Sequence, residues 1–168
     1  MIGAGRQGTA AAYDLAKFAG AREVAIFDRD PALSSSAAVR VNQLAGRQAA
    51  TAGILDAGDP ARAATALRGV DAVLSAVPYF LNPGLARAAI EAGASFCDLG
   101  GNTAVVDEEL SLDGEARARG VSIVPDCGLA PGMANTLAAH LVERTPGARS
   151  VAIRVGGLPQ DPRPPLGY

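Results

Sequence analysis

The chain has 168 residues, of which 49% are hydrophobic and 19% charged, with a net charge of −2 at pH 7. That length suits one domain and the beginning of another, and a weakly acidic chain with no basic stripe argues against nucleic acid as a partner. No apolar run of eighteen residues predicts a membrane span, no signal peptide precedes the first motif, and Cys97 and Cys127 make no disulfide framework, so the expected setting is a reducing cytoplasm with no membrane partner.

Gly3-Ala4-Gly5-Arg6-Gln7-Gly8 opens the chain, with only Met1 and Ile2 before it. A nucleotide-binding sheet is expected to have a buried central strand of roughly five or six residues at that point. The first strand is therefore expected to be clipped, leaving its neighbours short of a central hydrogen-bond partner. A helix is predicted over 7–18, with Ala11, Leu15 and Phe18 on one face, then a strand over 24–27 that ends at Asp28. Asp30-Pro31 starts a helix over 32–45. A short apolar run leads to Asp56-Ala57-Gly58-Asp59-Pro60 and a helix over 61–68. Residues 71–77 are the clearest buried strand, closed by Pro78. Asn82-Pro83 opens a helix that reaches Ala92 and stops at Gly93. A strand over 95–99 is broken by Gly100-Gly101. A helix over 108–119, a strand over 121–124, a loop over 125–132 and a helix over 133–143 follow. A last strand is predicted over 151–155, before a proline-rich tail expected to be mobile. This alternation predicts an α/β fold with a doubly wound parallel sheet of Rossmann type.

The glycine loop has the composition that a dinucleotide needs. Gly3 permits the tight turn, Gly5 leaves room for the pyrophosphate, and Gly8 lets the helix pack close to the strand. The helix start at Arg6 and Gln7 offers free N–H groups and a partial positive charge. Asp28, twenty positions beyond Gly8, has the spacing of an acid that accepts from ribose hydroxyls. An ordinary strand-turn-helix would explain the glycines but not that spacing. The acid predicts NAD over NADP, since a carboxylate repels a 2′-phosphate; Arg29 beside it is the counter-signal.

Ligands in open α/β sheets lie at the carboxyl ends of the strands. Those ends supply Asp56 and Ala57 beside the adenine, and Ser75, Ala76, Val77, Pro78 and Tyr79 beside the nicotinamide ribose. They also supply Asp98 and Asp126. Each has a plainer reading: Asp56, Asp98 and Asp126 as turn caps, and Ser75 as a small packing residue. The two cysteines read as inert hydrophobes. His140, the only histidine, reads as structural, because no metal-ligand cluster or triad partner accompanies it.

Several motifs together resemble the saccharopine dehydrogenase family, in particular its lysine 6-dehydrogenase branch. They are Gly3-Ala4-Gly5 to Gly8, Asp56-Ala57-Gly58-Asp59-Pro60, and Asp98-Leu99-Gly100-Gly101. They continue with Pro125-Asp126-Cys127-Gly128-Leu129-Ala130-Pro131-Gly132-Met133-Ala134-Asn135 and Val155-Gly156-Gly157-Leu158-Pro159, and end at Pro-Pro-Leu-Gly-Tyr. The resemblance implies a Rossmann NAD(P)-binding domain over 1–130 and, over 131–168, the start of an α/β substrate and dimerisation domain. It implies a homodimer at full length. The implied reaction is NAD-dependent oxidation at the CH–NH2 or CH–NH group of a small-molecule amine or amino acid. Asp98 and Asp126 would be the carboxylates near the nicotinamide, one taking an ammonium proton or holding the substrate's charge. Gly100, Gly101, Asn102 and the loop from Gly128 to Asn135 would wall the substrate. A polyamine-forming reductase of the same family and a non-catalytic nucleotide-binding module are the rival readings. The chain as given is expected to be the front of a longer enzyme and not to turn over substrate by itself.

Overall fold

A computed structural model describes residues 1–156. The predicted proline-rich tail and the motif residues from 157 onward lie outside the described residues. The elements run α1 (Arg6–Lys17), β1 (Val24–Asp28), α2 (Pro31–Ala45), β2 (Ala50–Ile54), α3 (Pro60–Ala66) and β3 (Ala72–Ser75). A 3-10 turn (Tyr79–Leu81) follows, then α4 (Asn82–Ala92), β4 (Ser95–Asp98), α5 (Thr103–Leu110), α6 (Asp113–Arg119), β5 (Ile123–Val124) and α7 (Met133–Glu143).

All strand pairs are parallel. β1 pairs with β2, and β4 lies between β3 and β5. Ile2 joins the two groups by bridging Phe27 on one side and Ser75 on the other. The spatial order is therefore β2, β1, residues 1–3, β3, β4, β5, a doubly wound arrangement whose reversal point lies at the glycine loop. The short first strand does more than its length suggests. Gly3 N–H donates to Phe27 O at 2.8 Å and Phe27 N–H to Met1 O at 2.9 Å. Ile2 N–H donates to Leu74 O at 2.9 Å and Ala76 N–H to Ile2 O at 2.8 Å. The carboxyl ends of β1 and β3 thus keep a central partner, and these ends carry the site.

Two cores cover the two faces. One packs Ala12 and Ala16 of α1 and Ala37, Ala38 and Val41 of α2 against Val24 and Ile26. The other packs Ala63 of α3, Leu85 and Ala89 of α4 and Ala116 of α6 against Val73 and Phe96. Helix ends follow local chemistry. Asp30 and Asp59 cap α2 and α3 through their side chains, and left-handed Gly46, Gly93 and Gly120 end α2, α4 and α6.

Several boundaries differ from expectation. α1 turns Gly8, Ala12 and Ala16 inward, while Phe18 is 70% exposed. A helix lying this close to a sheet needs small residues at the contact, so Ala11 and Leu15 pack only half-buried at its edge and Phe18 is displaced. The helix predicted over 108–119 is two helices. Asn102 caps the first by accepting from Ala104 and Val105 N–H; the second starts after the break at Ser111 and buried Leu112. β5 has two residues where four were predicted. Residues 151–155 are irregular and exposed rather than a strand, since no described strand lies alongside to accept them. Among the described residues no helix is long and apolar enough to cross a membrane.

Candidate active site

The glycine loop occupies the reversal point. Gly3 has φ +95°, and a Cβ there would sit 2.8 Å from Ala76 O. A Cβ on Gly8 would run into Gly3 O, so α1 approaches its own loop as only glycine allows. Gly5 differs: it is exposed, at φ −68°, and a Cβ there would meet nothing within 4 Å. Its bareness opens onto the cleft. No side chain caps the start of α1, so the first-turn amides of Arg6, Gln7 and Gly8 lack both an intrahelical and a capping partner. Bare N–H groups on a helix dipole suit a phosphate.

Asp28, half-buried at the end of β1, spans this loop. Its Oδ2 accepts from Ala4 N–H at 2.8 Å and its Oδ1 from Asp30 N–H at 3.0 Å. The remaining lone pairs are available to hydroxyl donors. Arg29 is the exposed next residue. Asp56, beyond β2, accepts from Gly58 N–H at 2.9 Å, which is a turn-capping bond. Its exposed second oxygen and half-buried Ala57 border the same end of the sheet.

At the end of β3, Ser75 points into the core. Its Oγ donates to Asn82 Oδ1 at 2.8 Å, and both residues are buried. Any ligand contact by Ser75 would have to come from its backbone. Ala76 and Val77 lie against Gly3, Pro78 is exposed, and Tyr79 lies over Gly101, where a Cβ would be 3.0 Å from the tyrosine Cβ. The turns after β3 and β4 thereby meet.

The last two strand ends form a second centre. Asp98 is fully buried. Its Oδ1 accepts from Gly100 N–H and, at 3.4 Å, from Asp126 N–H, while its backbone oxygen accepts from Cys127 N–H at 2.8 Å. Asp98 is thus a hub that organises turns. Asp126 is half-buried and is the one non-glycine described residue at positive φ, 60°, a conformation that costs on the order of 1 kcal/mol. Its carboxylate crowds Gly100, so that a Cβ there would clash with Oδ1.

The sequence reasoning overlooked Glu109. This residue of α5 is 1% exposed, and neither of its oxygens finds a hydrogen-bond donor. Burial first, then the charge and contact of Asp98, push its carboxyl up to about 8; Asp126 and Glu108 add to the effect. A sequence signal existed: Val105 and Glu109 lie one helical turn apart, which puts an acid on the apolar side of α5.

The outer wall is less committed. The Asn102 oxygen is occupied by capping α5, and Asn135 Oδ1 accepts from Gly132 N–H at 3.2 Å. Gly128 packs on Leu99 O. Burial pushes the Cys97 thiol up to about 11, with Cys127 and Asp98 contributing; burial, Asp98 and Asp126 also raise Cys127. His140 is exposed in the last turn of α7. A hollow of about 410 Å³ between α4 and α6, lined by Arg87, Glu91, Glu115 and Arg119, holds none of these residues.

The family described as saccharopine dehydrogenase NADP binding domain matches residues 1–124. Saccharopine dehydrogenase (L-Glu forming) from Saccharomyces cerevisiae is similar in fold, with TM-score 0.65 and 21% identity over 85% of this chain and 30% of that one. An NAD binding oxidoreductase from Klebsiella pneumoniae is similar with TM-score 0.55 and 22% identity over 85% of this chain and 37% of that one. The chain spans about a third of the length of these two proteins. It belongs to the saccharopine dehydrogenase NADP-binding domain family.

Proposed function

We propose that this chain is the cofactor-holding part of a nicotinamide-dependent oxidoreductase acting on the CH–NH2 or CH–NH group of an amino acid. Lysine 6-dehydrogenase and saccharopine dehydrogenase are the types it fits. The observation that carries the reading is the uncapped start of α1 beside side-chain-free Gly5, with the Asp28 carboxylate fixed to Ala4 next to it. These residues suit a dinucleotide. Gly3, Gly5, Arg6, Gln7 and Gly8 would hold the pyrophosphate, Asp28 and Arg29 the adenosine ribose, Asp56 and Ala57 the adenine. The backbone from Ser75 to Pro78, with Tyr79, would line the nicotinamide ribose. Asp28 favours NAD; Arg29 is the group that would serve NADP, which the family's description names.

When bound, the cofactor exchanges a hydride with the carbon that carries the nitrogen. The amine must be neutral for that transfer, so a base is needed. Asp126 is the better placed of the two acids, being partly open where Asp98 is sealed. It takes the ammonium proton or holds the substrate's charge. Asp98 keeps Asp126 and Gly100 in position through its accepted N–H bonds. Gly101, Asn102 and Asn135 border the substrate. A substrate domain beginning near residue 130 completes the cleft and excludes water, and pairs two copies in the cytoplasm.

The test is calorimetric titration of the chain with NAD and NADP. Saturable binding of at least one, lost in Gly5→Val, is the expected result. Absence of binding by both to folded protein would end the proposal.

A further inference from the structure

We infer that Glu109 is a positioning residue: its buried carboxyl shares a single proton with Asp98, and the pair holds the turns after β4 and β5 in place. The inference rests on the proposed reading of those turns as the nicotinamide end of the cleft. Asp98 is 0% and Glu109 1% exposed, and they are side-chain neighbours. Three of their four carboxyl oxygens, Asp98 Oδ2 and both of Glu109, meet no donor among the described residues. Two ionised carboxylates only accept, so they cannot satisfy each other. One proton changes this, because a neutral Glu109 donates to Asp98 and pairs two orphaned oxygens with one bond. The proton belongs on Glu109, since Asp98 Oδ1 already accepts from Gly100 and Asp126 N–H.

The surroundings favour the shared proton. Asp126 and Glu108 add negative charge around the pair. On the packed helix α4, Arg87 is occupied with Glu108 at 3.8 Å and Glu115 at 3.4 Å. Among the described residues no cation forms an ion pair with either acid. Cys97 and Cys127 stay as neutral thiols near neutral pH. Loss of the proton would put two facing charges between α5 and β4, and Asp98 would be pushed off the two turns it anchors.

The sign of the linkage is fixed by the direction of the shift. Folded Glu109 keeps its proton to about pH 8, against 4.5 for an ordinary glutamate. The stability it contributes is complete below pH 4.5 and is lost as pH rises to about 8.

Three measurements test this: urea unfolding of the chain from pH 5 to 9, NAD and NADP titration over the same range, and carbon-13 NMR of labelled glutamate carboxyls. Glu109→Gln is the main variant, because its amide donates to Asp98 as a fixed copy of the neutral acid. Relative to Glu109→Gln, the wild-type folding constant is expected to fall by up to about tenfold per pH unit between pH 5 and 8. Wild-type dinucleotide affinity should weaken above pH 8 while that of Glu109→Gln stays level. One glutamate resonance should titrate near pH 8, and it should move toward the ordinary range in Asp98→Asn, which keeps the test alive if Glu109→Gln misfolds. Glutamates that all titrate below pH 6 would overturn the shared proton. Wild-type affinity as level with pH as the variant's would overturn the positioning role. The expected unfolding slope without binding of either dinucleotide would leave the proton pair standing and sink the cofactor reading instead.

Discussion

Asp28 Oδ2 accepts a 2.8 Å hydrogen bond from Ala4 N–H, tying the end of β1 to the glycine loop. The carboxylate is therefore held where an adenosine ribose would lie in the proposed complex, and it cannot swing away without releasing the loop. A 2′-phosphate about 4 Å from it would be repelled by roughly 1–4 kcal/mol across plausible dielectrics. NAD is expected to bind about tenfold or more tightly than NADP, and Asp28→Ser should narrow that gap. Equal or tighter binding of NADP by the wild type would mean that Arg29 dominates and that the acid does not select.

The glycines of the loop separate folding from binding. A Cβ on Gly8 meets Gly3 O, whereas a Cβ on Gly5 meets nothing within 4 Å. Gly8→Ala should cost about 1–3 kcal/mol through forced backbone movement, seen as a Tm lower by several degrees. Gly5→Ala sits at φ −68°, which alanine adopts freely, so its Tm should match wild type. Its dinucleotide affinity should nevertheless fall, because the methyl group stands where the pyrophosphate approaches. A Gly5→Ala variant with full affinity would show that the phosphates lie elsewhere.

The order of elements was legible because strand and helix alternate with clear punctuation. Asp-Pro or Asn-Pro at the helix starts, with Gly46 and Gly93 ending α2 and α4, marked α2, α3 and α4 to within a residue or two. The glycine loop was legible because its three glycines each answer a different spatial demand. Other features depended on information that spacing does not carry. Side-chain size misled at α1, where closeness to the sheet put Gly8, Ala12 and Ala16 deepest, left Ala11 and Leu15 half-buried against the same core, and left Phe18 exposed. Asn102 carries a helix cap that its sequence context did not announce, its oxygen accepting from Ala104 N–H. With the helix expected to start at residue 108 instead of Thr103, the phase of α5 was lost. Without the phase nothing singled out Glu109, which lies on the buried side of α5. Asp98 and Asp126 looked equivalent in sequence, and only their burial separates a sealed hub from a half-open acid.

The two cysteines should be poor nucleophiles at neutral pH. Burial pushes Cys97 up to about 11, and burial with the charges of Asp98 and Asp126 raises Cys127. The thiolate is the reactive species, so alkylation by iodoacetamide at pH 7.5 should be slow at both, even though Cys127 is exposed. Rates followed by mass spectrometry should climb only as pH rises toward the alkaline range. Rapid labelling of Cys127 at pH 7 would contradict the influence of its acidic neighbours and reopen it as a reactive group.

Asp126 offers the sharpest test of the proposed chemistry, because its backbone and carboxyl can be varied separately. Its φ of 60° is tolerated by asparagine and favoured by glycine. Asp126→Asn and Asp126→Gly should therefore fold with stability close to wild type. In a form of the chain joined to a substrate domain, both should lose turnover with lysine or saccharopine by about 10²–10⁴-fold, the usual contribution of a general base. The dinucleotide Kd should stay nearly unchanged, since an interaction used in the transition state affects kcat and leaves cofactor binding alone. The loss should also be similar in the two variants, because both remove the ionisable group and only one changes the backbone preference. If activity and stability fall together, and Asp126→Gly restores both relative to Asp126→Asn, the residue is a turn former and the base must be sought elsewhere in the cleft.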